Sequence, residues 1–431
     1  MKIKNNKRWF YIATPIFFLW FFGQIDKLGI SIVQTDPQFL SDLGMTGANA
    51  NAKIGFLTFI FMVAYAISNF FWGFFIDKFG ARKTAIIGVS IWTVTMLIGG
   101  LATTYGMFMM TRIFLGIGEG MMIPVCGKFI ATWFNKNELG RAQSSWISGN
   151  YAGPAIGAVF ISLIIATLSW HATFFILAGL NLLLVMPMLI FLTRNDPESH
   201  PGVSKEELSY IRQDDAPVTG EKKKSYVQDS RYWIVWFGMV ITSFLFFGIS
   251  IWLPTYLMQA RNFDVDAMTG ITSLSWLFAL GFVLICGYLA DKTKRPSLIA
   301  TILFASCAIL LTVSTQVSVA IISALALGLA MGTLGGIFHL SNLFIVQFST
   351  PETAGRAAGL MGFTNIFGGF SSYVMGWMRD INGGDFGPSL IMLIAITALG
   401  FIAYLFTLKT ENKEVQDAKK KVQNQSEMQA I

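Results

Sequence analysis

Charge is scarce in this chain: Asp, Glu, Lys and Arg together make up 13% of its 431 residues. A water-soluble domain carries about a quarter of its residues as charges, so a fully solvated exterior is excluded. Cysteine and histidine are scarcer still, with three of each. Cys126, Cys286 and Cys307 stand far apart inside apolar runs without metal-ligand spacing, which leaves them as small packing residues and excludes a zinc site. The histidines are equally scattered, and no nucleophile–base pair, phosphate loop or metal set accompanies them. Neither an enzyme nor a resident cofactor or metal is expected.

What the chain does have is apolar length. Hydrophobic residues make up 54% of it, 39 of them Phe, and the mean hydropathy is +0.59. Runs of about 20 apolar residues, enough to cross a bilayer, recur near 9–33, 52–76, 83–102, 105–134, 140–168 and 170–193. After a polar gap six more follow near 232–258, 268–290, 297–316, 318–348, 354–378 and 387–408. The reading is an all-α membrane protein of twelve transmembrane helices.

The net charge of +7 raises the question of nucleic acid, and the placement of the basic residues answers it. Lys2, Lys4, Lys7 and Arg8 precede span 1; Lys78, Arg82 and Lys83 follow span 2; Lys136 and Arg141 follow span 4. Lys222 to Lys224, Lys292, Lys294, Arg295, Arg356 and a Lys-rich tail fall on the same side, whereas the opposite loops hold mainly Arg261 and Arg379. This is the positive-inside pattern, which puts both termini in the cytoplasm and assigns the charge to a membrane surface, not to nucleic acid. The first apolar run lacks a small-x-small cleavage site and carries Asp26-Lys27 where one would fall, so it reads as a retained span.

Internal repeats set the architecture. Gly73-FFI-Asp77-K-F-G-A-Arg82-Lys83 after span 2 is echoed by Gly287-YLA-Asp291-K-T-K-Arg295 after span 8. Leu115-Gly116 matches Leu327-Gly328, Gly140-Arg141-Ala142 matches Gly355-Arg356-Ala357, and Asn150 matches Asn365, all at an offset of about 214 residues. Two pseudo-symmetric six-helix bundles follow, residues 1–193 and 231–408, joined by a cytoplasmic linker over 194–230 and ended by a tail over 409–431. Many secondary transporters are built this way, with the substrate site near mid-membrane between the halves. In the linker, Ser204 and Glu207 have the spacing of a capping box for a short amphipathic helix.

GFFIDKFGARK and RIFLGIG resemble the major facilitator superfamily, whose GxxxDxxGxRK signature lies after span 2. Asp26, the GIGEG of span 4 and HPGVSKEELSYI in the linker are similar to its anion:cation symporter family, which includes hexuronate, glucarate and galactonate permeases. The resemblance covers nearly the whole chain. It implies the major facilitator fold, a monomer in a bacterial-type inner membrane, and proton-coupled uptake of a small organic anion such as a sugar acid. It also implies that the matching Asp and Glu are proton sites and that the Arg couples them to substrate.

The charges inside the spans carry this reading. An ionised side chain at a helix centre costs about 2.5 to 3.5 kcal/mol on insertion scales, so it is expected to face a partner or a watery cavity. Arg112 and Glu119 are nearly two turns apart, which places them on one face of span 4, about 10 Å apart along the axis. Counting rises along spans 1 and 4 makes Asp26 level with Arg112, and if both spans line the cavity the two can pair. A partly desolvated Glu119 near the middle suits a reversible proton carrier. Lys27, Gln24, Tyr65, Asn150 and Asn365 are expected to orient a polyhydroxylated anion, and His339 lies deeper, where packing or gating is expected. Asp77, Arg82 and Lys83, with Asp291 and Arg295 in the other half, read as gating latches whose basic members reach carboxylates across a closed gate.

Two features bear on the choice of function. Where the family has aromatic-x-Asp-Arg, this chain has Gln24-Ile25-Asp26-Lys27, and lysine lacks the planar fork that grips a carboxylate in two places. Gly149-N-Y-A-Gly153-Pro154-A-I-Gly157 is similar to an antiporter pattern, so exchange or drug efflux is the alternative; its plainer reading is close helix packing with a proline kink. Organophosphate exchange is disfavoured because span 7 contains no arginine. A non-transporting nutrient sensor is disfavoured by the short tail.

Overall fold

The computed structural model describes residues 6–135, 138–213, 230–348, 360 and 362–429, and all the regular structure among them is helical. Lys2, Lys4, Lys136, Lys222 to Lys224 and Arg356 lie outside these residues. A π-helical turn over Trp9–Ala13 leads into α1 (Thr14–Val33); a short helix, α2 (Pro37–Asp42), precedes α3 (Ala50–Gly100). Then come α4 (Tyr105–Glu119), α5 (Met122–Trp133), α6 (Leu139–Thr167) and α7 (Trp170–Leu180), the last extended by π-helical turns at Asn181–Val185 and Met188–Leu192. The linker contributes α8 (Lys205–Ile211). The second half holds α9 (Ser230–Gln259), α10 (Val265–Thr293), α11 (Pro296–Gln316), α12 (Ala320–Phe348), α13 (Thr364–Ile381) and α14 (Gly387–Gln429).

The turn expected between spans 2 and 3 is instead a bend inside α3. With 51 residues at about 1.5 Å each, this helix is more than twice as long as the roughly 30 Å hydrocarbon layer is thick, so it crosses twice. The bend falls at Gly80, with φ 79° and ψ 163°, a conformation that costs L-residues dearly. Asn195 fills the space a side chain would take and accepts the Arg82 N–H at 3.0 Å. Ten helical stretches among the described residues are long and apolar enough to cross a membrane. Counting α3 twice and adding α13, the most polar crossing, gives the expected twelve.

Span 4 is likewise divided, into α4 and α5, at the Glu119-Gly120 step. The carbonyls near the break are met by α3: Ser68 Oγ donates to Gly116 O at 3.1 Å, Trp72 Nε1 to Ile117 O at 2.7 Å and Asn69 Nδ2 to Gly120 O at 3.0 Å. Backbone groups freed inside a membrane must find such partners. Large apolar side chains, among them Phe74, Leu163, Leu183, Phe191, Leu284 and Ile391, are exposed around the outside. That is the surface a lipid-facing belt requires.

The two halves meet along α3 against α13 and α6 against α10, with α1 against α9 between them. The linker helix belongs to the first half. Ser204 caps it, accepting the Glu207 N–H at 3.1 Å. Glu207 does not complete the expected capping box, because its carboxylate turns to Arg8, 2.8 Å from Nη1, and accepts the Arg8 backbone N–H at 3.1 Å. Glu138 grips the same guanidinium from the α5–α6 connection at 2.8 Å. Arg8 is therefore not a headgroup cation but the buried centre of a three-segment ion cluster.

Candidate functional site

RIFLGIGEG is a helix end set deep in the protein. Gly116 lets α4 come against the first leg of α3, where an added Cβ would meet Phe61 O at 2.6 Å, and Gly118 does the same for the second leg, with Trp92 N at 2.9 Å. Glu119 is thereby brought to the centre of the first bundle as the last residue of α4. Its carboxylate lies 3.8 Å from Lys27 Nζ on α1, and neither oxygen has a hydrogen-bond partner. The Lys27 ammonium sits 4.0 Å from the centre of the Tyr65 ring and 5.9 Å from that of Phe61, on the negative faces of both. Arg112 completes the group: Nη2 donates to Lys27 O at 3.4 Å, Cζ lies 5.0 Å from the Phe61 centroid, and Nε is buried and unpartnered.

Asp26 takes a different direction. Successive helical residues point about 100° apart, and its carboxylate finds partners other than the Lys27–Glu119 pair. There Oδ2 accepts hydrogen bonds from Trp92 Nε1 on α3 and from Asn181 Nδ2, at 3.4 Å, in the turn that extends α7. The expected Asp26–Arg112 ion pair is not formed. Lys27, one residue on, takes up the face toward α4, so the ion pair joins Lys27 to Glu119. Asp26, Lys27, Arg112 and Glu119 are 4, 4, 1 and 0% exposed. The watery cavity expected around them is closed in this conformation by Trp20, Phe61, Tyr65 and Trp92, which are themselves buried or turned inward.

Of the other expected site residues, Tyr65 joins the cluster through Lys27. Gln24 is buried on α1 facing Gly153 of α6. Asn150 and Asn365 are half-buried on α6 and α13, and none of the cluster contacts above involves them. His339 packs against Gly287 of α10, within the second half. Gly149, Gly153 and Gly157 all face α1, where added Cβ atoms would fall 2.4 Å from Phe17 O, 2.3 Å from Phe21 O and 2.9 Å from Ile25 Cγ1. Their geometry is that of close helix packing.

The expected latches bond elsewhere. Arg82 Nη2 donates to Ile190 O at 2.6 Å, at the end of span 6, and Asp77 and Lys83 are exposed. In the second half Arg295 bonds Asn412 and lies 3.8 Å from Glu411, just beyond span 12. The Asp291 side chain lies outside the described residues. Each arginine thus ties the third span of its half to the sixth, Arg82 through a backbone carbonyl near the helix end and Arg295 through the side chains of Glu411 and Asn412.

Among the described residues, the bonds between the halves gather at the opposite end, away from Arg8 and the linker helix. Asp380 on α13 caps the start of α3, accepting from Asn51 N at 3.1 Å, Asn51 Nδ2 at 2.8 Å and Ala52 N at 2.8 Å. Arg379 donates across the seam to Asn51 Oδ1 and, within the second half, to Gln259 Oε1, both at 2.6 Å. Gln34 Nε2 donates to Ile251 O at 2.7 Å, and Ser273 Oγ to Ala155 O at 2.6 Å. Between them the helices touch backbone to backbone: a Cβ on Gly55 would lie 2.2 Å from Ser372 O. Sequence reasoning missed Asn51, Trp92, Asn181, Gln259 and Asp380, and counted Arg379 only as a loop charge. The one signal available was Asp380 beside Arg379, an ion-rich step at the end of an apolar span.

Comparison with known proteins agrees with this architecture. The sequence model of the Major Facilitator Superfamily matches residues 16–373. The D-galactonate transporter of Escherichia coli O6:H1 is 24% identical over 427 residues, which cover 93% of this chain and 96% of the relative. A probable galactarate/D-glucarate transporter of Bacillus subtilis is 24% identical over 437 residues, 93% and 92% of the two chains. The hexuronate transporter of Bacillus subtilis is 25% identical over 301 residues, 69% and 68%. A bacterial homologue of the human lysosomal transporter Spinster, crystallised inward-facing and occupied, superposes with a TM-score of 0.74 at 14% identity, covering 94% of this chain and 98% of that one.

Proposed function

Since the chain belongs to the major facilitator superfamily, a family of transporters, we propose that it is a proton-coupled symporter for a sugar acid of the hexonate, hexarate or hexuronate class. The observation that carries this is the Lys27–Glu119 pair: a buried cation whose partner carboxylate has no other bond. With all four groups ionised, two cations balance two carboxylates. Each proton taken up by Glu119 or Asp26 leaves one positive charge unmatched, and an unmatched buried charge is costly. A carboxylate substrate restores the balance, so the carrier accepts one negative charge per proton. Lys27 and Arg112 meet the substrate carboxylate, and Gln24, Tyr65, Asn150 and Asn365 serve its hydroxyls once the halves separate around it. The named substrates of the relatives, galactonate, galactarate, glucarate and hexuronate, have this chemistry.

The direct test uses purified protein in proteoliposomes with an imposed inward proton gradient and labelled galactonate, glucarate and glucuronate. The expected result is uphill accumulation of at least one, collapsed by a protonophore. Accumulation driven only by a counter-anion, indifferent to the protonophore, would replace symport with exchange. Ligand-dependent thermal stabilisation without flux would make the protein a sensor.

Alternating access on this reading opens the end now held by Asp380 and Arg379. By the positive-inside rule that end is extracellular, so this conformation is closed to the outside. Removing the Asp380 carboxylate frees three donors, and a bond to a charged group is worth about 1.5 to 3 kcal/mol. Asp380→Ala should therefore raise the outward-open population roughly tenfold or more. Spin labels at Lys53 and Gly383 read the separation. The native cysteines are all buried, so introduced ones label selectively. Unchanged distance distributions would remove Asp380 from the gate.

A further inference from the structure

Trp92 and Asn181 belong to no motif, yet both are 0% exposed at the centre of the first bundle, and both are spent on one carboxylate oxygen. The sequence gives them no common signal, since they come from the second leg of α3 and the turn after α7. Close packing of α3 on α4, which Gly118 permits, aims the indole N–H at α1. The π-helical turn at Asn181–Val185 widens the helix at Asn181, a distortion often found where a side chain is aimed at a task.

We propose that Trp92 and Asn181 are positioning residues that hold the Asp26 carboxylate inside the first bundle, apart from the cations, and set how readily it takes a proton. The proposal rests on the proton-coupled reading above. Indole is a donor only, so Trp92 gives the ionised Asp26 a charge-assisted bond and the protonated acid only a weaker one, to its carbonyl oxygen. A carboxamide both donates and accepts, so Asn181 serves either form by turning its oxygen toward an Asp26 hydroxyl. Two atoms stand ready for that exchange: Asp26 Oδ1 and Asn181 Oδ1 are both buried and unpartnered. Arg112 and Glu119 on α4 act on Asp26 through space, and Lys27 follows it on α1. Tyr65 and Cys126 lie on the Glu119 side. The elements that bond Asp26, α3 and the α7 turn, do so with neutral groups. The two acids are thus set by different means, Glu119 by a cation and Asp26 by two neutral donors.

The test pairs two apolar substitutions that remove the bond, Trp92→Phe and Asn181→Leu. Infrared titration of the whole protein, with Asp26→Asn as reference, isolates the Asp26 carboxylic acid band. Trp92→Phe should move the pH midpoint of that band, and of uptake, upward by about one unit, the tenfold change that one lost charge-assisted hydrogen bond carries. Asn181→Leu should broaden or displace the titration while substrate counterflow is retained, and Asn181→Gln should restore part of it. In an Asp26→Asn background neither substitution should alter the uptake profile further. Folded variants that titrate and transport as wild type, or that shift the profile equally without Asp26, would overturn the proposal. If the band moves but transport in the wild type ignores the proton gradient, the symport reading fails and the positioning stands.

Discussion

Glu119→Gln abolishes accumulation against a gradient while leaving substrate exchange intact. The substitution preserves shape and a polar tip but removes both the negative charge facing Lys27 and the capacity to carry a proton. Lys27 is then permanently released, as it would be in the proton-loaded wild type, so the variant binds and swaps substrate but has nothing to unload. A pH difference of one unit drives about a tenfold accumulation per proton carried, and in the variant that ratio should fall to one. Uphill uptake at wild-type level would refute the assignment of Glu119. Loss of both exchange and accumulation would point to a packing role for its side chain.

Arg112→Ala is the second large effect, and it runs the other way: binding itself is lost. The guanidinium has one long bond to a backbone carbonyl and a ring face for company, with Nε unpartnered. A cation held so loosely in so buried a place is poor structural glue, because burial costs several kcal/mol that only full pairing offsets. The missing pairing is what a carboxylate supplies. Losing that contact should cost about 3 kcal/mol, on the order of a hundredfold in apparent affinity. Arg112→Lys should recover only part of it, since the ammonium lacks the fork. Wild-type uptake kinetics for Arg112→Ala would remove the residue from the site.

Much of this was readable in the chain. Apolar run lengths gave the crossings, and the repeats gave the two halves, because both express requirements of the bilayer that act locally along a span. The charges within the spans announced themselves by their cost, and Asp26, Lys27, Arg112, Glu119 and Tyr65 do lie close together. Their partnering was less legible. Whether Asp26 faces Arg112 or Trp92 is decided by a rotation of about 100° about the α1 axis, which level-counting along the membrane normal does not resolve. Trp92 and Asn181 sit in greasy runs where an indole or amide reads as packing. The gating motif was recognisable, but its partners are mostly backbone carbonyls and tail residues, which bear no signature. Bonds that join the halves come from Gln34, Asn51, Ser273, Arg379 and Asp380, scattered along the chain.

The Arg8 cluster has a practical consequence. Residues 8, 138 and 207 are bound into one buried ionic knot, and a charge left there with a missing partner would cost about 3 to 5 kcal/mol. The linker helix is therefore cargo of the first bundle, not a neutral tether. If the protein is produced as two co-expressed polypeptides, a cut after residue 213 leaves the knot tied within the leading piece, whereas a cut before Ser204 strands the arginine with half its counter-charge. Complementation by split chains should succeed at the first site and fail at the second.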